Sequence, residues 1–79
     1  MKKKSRLILE GIVTQCLSNG LFRVKLKLND ELIIAYLSGK IRQNFIRIIV
    51  GDKVDVELSL YDLTRGRIIY RYRSQNKNS

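Results

Sequence analysis

Apolar and polar side chains alternate one by one along much of the chain. Phe22, Val24, Leu26 and Leu28 alternate with Arg23, Lys25 and Lys27; Val54, Val56, Leu58 and Leu60 alternate with Lys53, Asp55, Glu57 and Ser59. A period of two marks a strand with one buried face, so both stretches are read as half-buried strands. Residues 32–37 are apolar at every position, which predicts a strand covered on both sides. The stretch 7–17 is long for one strand and carries Gly11, where a bulge or sharp bend is expected. In 67–73, Ile68, Tyr70 and Tyr72 fall on one face and Arg67, Ile69, Arg71 and Arg73 on the other. Phe22, Phe45 and Tyr70 are expected in the core.

Turn signals separate these runs at Ser18-Asn19-Gly20, Asn29-Asp30, Gly51-Asp52 and Thr64-Arg65-Gly66. One stretch changes period. After Ser38, a credible N-cap, Ile41, Phe45 and Ile48 recur at helical spacing. This predicts one short helix over about 38–46, with Lys40, Gln43, Asn44 and Arg47 toward solvent. Five strands with a helix between the third and fourth is the order of the OB-fold, a small all-β Greek-key barrel. An SH3-like barrel is the rival; a helix after strand three, rather than a short turn after strand four, favours the OB-fold. The expected organisation is a flexible basic N-terminus over 1–6, a barrel over 7–73 and a flexible polar tail over 74–79.

Composition narrows the chemistry. A chain of 79 residues is one small domain that buries roughly 60–65% of its unfolded surface, which leaves little stability to hold strained catalytic geometry. It contains no His and one Cys, which excludes an imidazole base, an intrachain disulfide and a Cys-rich or His-containing metal site. Cys16 reads as a small core or strand residue. Gly39-Lys40 is followed by Ile41, and position 34 is Ile rather than Gly, so no phosphate-cradling P-loop is present. No G-x-S-x-G occurs. The first residues are basic, but Leu7-Ile8-Leu9 meets Glu10 and Gly11 at once, far short of a signal peptide's apolar region. A location inside an organelle would therefore require synthesis there. No enzyme, cofactor or membrane association is expected.

Charge supplies the direction. The chain carries 16 Lys and Arg against 7 Asp and Glu, a net +9. Three segments hold +12 without a single acid: 1–6 (Lys2, Lys3, Lys4, Arg6), 40–47 (Lys40, Arg42, Arg47) and 65–79 (Arg65, Arg67, Arg71, Arg73, Lys77). The remainder carries −3, all of it in 48–64. A basic module of this kind fits a polyanion, because each neutralised phosphate releases condensed counterions. In an OB-fold the helix and the loop between strands four and five lie around one binding side, which would join the second and third segments. Six phosphate contacts give a log–log salt slope of roughly −4 on single-stranded RNA. With Phe22 on the apolar face, Tyr61 and Tyr72 are the candidates for exposed aromatic contacts. Many arginines and few free aromatics favour docking on folded RNA over gripping single strands by base stacking.

Longer motifs carry a resemblance. The run Ser38-Gly39-Lys40-Ile41-Arg42-Gln43-Asn44-Phe45-Ile46-Arg47-Ile48, with Gly51-Asp52-Lys53-Val54 and Tyr61-Asp62-Leu63-Thr64-Arg65-Gly66-Arg67-Ile68, resembles the bacterial and plastid translation initiation factor one family. Glu10-Gly11-Ile12-Val13 and Leu21-Phe22-Arg23-Val24 resemble its opening. The resemblance implies an OB-fold monomer that binds the small ribosomal subunit at the A site. It also implies exclusion of premature tRNA, contact with decoding-centre rRNA and neighbouring ribosomal proteins, and cooperation with initiation factors two and three. By motif match it assigns rRNA contacts to Lys40, Arg42, Asn44, Arg47, Arg65, Arg67 and Arg71; Tyr61, Tyr72 and Arg73 are additional candidates.

Some positions depart from the common pattern. Ser18 and Val50 stand where a turn proline is frequent in the family. Tyr36-Leu37, Arg67-Ile68-Ile69-Tyr70-Arg71 and the tail 74–79 look closer to plastid forms than to bacterial ones. The expected location is the plastid stroma, with a bacterial cytoplasm as the alternative. The rival functions are a cold-shock-type single-strand binder or RNA chaperone, disfavoured by the scarcity of free aromatics, and a polybasic membrane-surface protein. The latter is disfavoured because the charges are interleaved within strands.

Overall fold

The alternating stretches form five strands in a computed structural model that describes residues 6–73. They are β1 (Ile8–Cys16), β2 (Leu21–Leu26), β3 (Leu32–Leu37), β4 (Lys53–Leu58) and β5 (Arg65–Arg71), with helix α1 (Gly39–Gln43) between β3 and β4. The sheet closes in the order β1-β2-β3-β5-β4. β3 and β5 are parallel, and the other neighbours run antiparallel. This is the expected OB-fold barrel, in which closure leaves no sheet edge unpaired. Lys2, Lys3, Lys4 and the tail 74–79, including Lys77, lie outside the described residues.

Closure requires β1 to serve two partners. Gly11 pairs with Leu26 of β2 and with Val54 of β4, at the bend that the sequence places there. A Cβ on Gly11 would lie 2.6 Å from Val24 Cγ1 and 2.8 Å from the Lys25 carbonyl oxygen, so only glycine admits this approach. A register shift between Val13 and Gln15 adds a bulge at Thr14, which increases the local twist. Cys16 is the last residue of β1 and is exposed.

The inward residues of the alternation form the core: Val24 and Leu26 from β2, Val54, Val56 and Leu58 from β4, and Ile68 from β5. Each such side chain contributes about 1.5–3 kcal/mol when fully buried. Leu28 and Leu60 continue the alternation in sequence but fall beyond the strand ends, and both are exposed. β3 corrects one expectation. Ile33 and Ala35 are buried while Leu32 and Tyr36 are half exposed, so this strand is covered on one side only.

β5 corrects a second. Val56 pairs with Ile68, but Asp55 pairs with Tyr70 and Val54 with Arg71, so Ile69 is an extra residue on β5. The bulge reverses the alternation beyond it. Ile68 points into the core, Tyr70 turns outward with 53% of its surface exposed, and Arg71 becomes half-buried.

The helix lies where the spacing predicts it, but is shorter. Ser38 caps it, its Oγ accepting from the Ile41 amide at 3.3 Å, and Ile41 is buried. The helix ends at Asn44, after which Phe45 takes a left-handed conformation, φ +55°. That residue redirects the chain. Ile46 and Ile48 therefore pack on the core, whereas Phe45, expected inside, is 90% exposed. Phe22 does pack against the core, half-buried. Among the described residues no helix is long and apolar enough to cross a membrane.

Candidate nucleic-acid interface

The fold brings the two described basic segments together. α1 packs against β5, and Arg71 Nη1 donates to the Arg47 carbonyl oxygen at 2.9 Å. That bond ties β5 to the segment leaving the helix. Lys40, Arg42 and Asn44 are exposed on α1 and its C-terminal cap, and Arg47 is exposed beyond it. On the β5 side, Arg65, Arg67 and Arg73 are exposed.

Arg65 and Arg67 line an open groove of about 480 Å³ together with Arg6, Tyr36, Glu57 and Tyr61. Its position follows from the parallel register, in which Ile34 pairs with Arg65 and Tyr36 with Arg67. The arginines of β5 therefore stand beside the outward face of β3. Tyr61, at the tip of the β4–β5 connection, is fully exposed. Asp62 shapes that connection. Its Oδ1 accepts from the Thr64 hydroxyl at 2.6 Å and from the Thr64 amide at 3.0 Å, and Arg65 Nε lies 3.7 Å from its Oδ2. The Thr64 hydroxyl, its amide and the Arg65 charge together hold the Asp62 carboxyl below the usual range.

Glu57 is the acid of this groove. Hydrogen bonds from Arg6 and Arg67, with their positive charges, hold its carboxyl down to about 2, so it is ionised at any neutral pH. The same contact raises Arg6 further above its ordinary value.

Tyr72 belongs to a different cluster. Its hydroxyl donates to Asp55 Oδ1 at 2.9 Å, Lys53 Nζ lies 5.4 Å from its ring centre, and its ring meets Tyr70 edge-on at 5.1 Å. The bond to Asp55, aided by burial and the nearby acids, raises the Tyr72 hydroxyl pKa. Lys53 also approaches Glu10 at 3.5 Å.

Sequence reasoning missed three side chains. Tyr36 was hidden in an apolar run, although its parity with the buried Ala35 and Ile33 marks it as outward once β3 is one-sided. Phe45 is exposed by a backbone conformation that periodicity does not reveal. Arg6 stands in sequence as one cation of a terminal basic run, with nothing local to mark its partner. With Tyr36, Phe45, Tyr61, Tyr70 and Tyr72 all exposed, the surface is richer in exposed aromatics than the sequence suggests, although Tyr70 and Tyr72 pack against each other. Scarcity of aromatics is thus no longer an argument against single-strand binding.

Comparison with known proteins decides the family. The sequence model described as translation initiation factor 1A / IF-1 matches residues 1–79. The chloroplastic translation initiation factor IF-1 of Phalaenopsis aphrodite subsp. formosana is 55% identical over 76 residues, 96% of this chain and 97% of that protein. That of Antirrhinum majus is 57% identical over 74 residues, 94% and 95% of the two chains. The solution structure of the translation initiation factor IF-1 from the Wolbachia endosymbiont strain TRS of Brugia malayi superposes with a TM-score of 0.73 at 49% identity. The match covers 91% of this chain and 84% of that one. Barrel, motifs and relatives agree: the chain belongs to the translation initiation factor 1A / IF-1 family, a family of non-enzymatic RNA-binding factors, as a plastid-type member.

Proposed function

We propose that the chain binds the small ribosomal subunit at the A site through rRNA, blocking premature tRNA entry and cooperating with initiation factors two and three. It acts in the plastid stroma, as a monomer when off the ribosome. Lys40, Arg42, Asn44, Arg47, Arg65, Arg67 and Arg71 make the rRNA contacts, and Tyr61, Tyr72 and Arg73 are additional candidates for contact with RNA. The observation that supports this reading is the junction of α1 and β5. The Arg71 bond to the Arg47 carbonyl holds the end of β5 against the segment leaving α1, which supports a shared role for cations far apart in sequence. Phosphate affinity grows with the number of cations that act together, so the junction matters more than the net charge.

Chemical footprinting of purified small subunits tests it. Protection confined to decoding-centre rRNA is the expected result. Diffuse protection, or none at physiological salt, refutes the A-site reading. The diffuse outcome would favour a general single-strand binder that uses Tyr36 and Tyr61 as stacking surfaces.

A further inference from the structure

A carboxylate on a phosphate-binding surface is repulsive by itself, and Glu57 is the one acid among the described residues lining the groove. Its place follows from the strand register. Ile8 of β1 and Arg67 of β5 both pair with Glu57 of β4, so Arg6 reaches the carboxylate from one side and Arg67 from the other. Oε2 accepts from Arg6 Nε at 3.1 Å, while Oε1 accepts from Arg6 Nη2 at 3.3 Å and from Arg67 Nε and Nη2 at 3.1 and 2.9 Å. Both guanidiniums use the Nε edge on Glu57, and among the described residues neither Nη1 has a partner.

We propose that Glu57 is a positioning residue for RNA binding, clamping Arg6 and Arg67 side by side so that their remaining N–H edges form one preorganised site for an RNA phosphate. The proposal rests on the RNA-binding reading above and adds Arg6 to the interface. A long side chain immobilised in advance does not lose that freedom on association, and the planar guanidinium fork matches phosphate geometry. Against this, the clamp cancels one of two positive charges. Preorganisation and charge therefore predict opposite signs when Glu57 is neutralised.

Titration of purified plastid small ribosomal subunits at several salt concentrations separates them. Glu57→Gln should bind about tenfold more weakly, the scale of ordering two long side chains again. Its salt slope should be shallower by about 0.7–0.9 for the lost phosphate contact. In the Arg6→Ala/Arg67→Ala background, where the carboxylate has nothing to hold, Glu57→Gln should leave affinity unchanged or raise it. Glu57→Asp keeps the charge and shortens the reach, so it should also lose affinity. It replaces Glu57→Gln if that variant melts below the assay temperature. Equal or tighter binding by Glu57→Gln, or unchanged binding by Glu57→Asp, overturns the proposal; so does a loss that persists in the double-alanine background. Failure of the wild-type protein to bind overturns the functional reading and this inference with it, whereas wild-type binding with the wrong sign in the variants overturns the inference alone.

Discussion

Two glycine-to-alanine substitutions in this chain should move its stability in opposite directions. Gly66 is buried in β5 and pairs with Ala35 of β3 and Leu58 of β4. A Cβ there would lie 2.7 Å from both the Glu57 carbonyl oxygen and Val56 Cγ1, and 3.2 Å from Leu58 Cδ2. The first neighbour is strand backbone and the second is a fully buried side chain, so neither gives way easily. Overpacking of this kind costs about 1–3 kcal/mol, against a total of about 4–12 kcal/mol for a chain of this length. Taking about 2 kcal/mol, the melting midpoint of Gly66→Ala should fall by about 8–16 °C. Gly39 opens α1, is exposed, and a Cβ there meets nothing within 4 Å. Gly39→Ala should raise stability by about 0.4–1 kcal/mol by restricting the unfolded chain. Thermal melting of the two variants and the wild type by circular dichroism at pH 7 reads both effects. A Gly66→Ala midpoint within about 2 °C of wild type, or a shift of the same sign in both variants, refutes the steric reasoning.

Arg67→Ala should weaken small-subunit binding by about 1–3 kcal/mol, the scale of a lost charge-assisted hydrogen bond, with an unchanged circular dichroism spectrum. A melted domain would instead make Arg67 structural. Ser38→Ala removes the acceptor for the Ile41 amide and should cost about 1 kcal/mol in urea unfolding; an unmoved midpoint would mean the cap is idle. Glu57 has a folded-state pKa lowered from 4.5 to about 2. Its contribution to stability is therefore complete above the ordinary carboxylate range and is lost as pH falls from 4.5 toward about 2. Glu57→Gln should remove that part of the acid limb, and a wild-type-like pH profile between those values in the variant would contradict it. The log–log salt slope for binding single-stranded RNA should be near −4 if six cations engage phosphates, and a slope near zero would place the affinity elsewhere.

Much of the barrel was legible along the chain because strand burial is a local, period-two property. Val24 and Leu26, and Val54, Val56 and Leu58, are core residues by alternation alone. Gly11 announces a bend, Ser38 a cap, and three acid-free segments a polyanionic partner. The family motifs depend on residue order and needed no coordinates. The remainder depended on partners distant in sequence. Tyr70 faces outward and Arg71 turns toward Arg47 because β5 carries an extra residue opposite β4, and a bulge is defined by two strands together. Tyr36 is exposed because nothing covers the outer face of β3, a fact about layers rather than about 32–37. Phe45 is exposed because the chain turns left-handed after α1. Arg6 and Glu57 stand 51 positions apart, and only closure of the barrel makes them neighbours. The sign of the surface was thus a property of sequence, whereas which cations stand together, and which acid holds them, was decided by the register of the closed sheet.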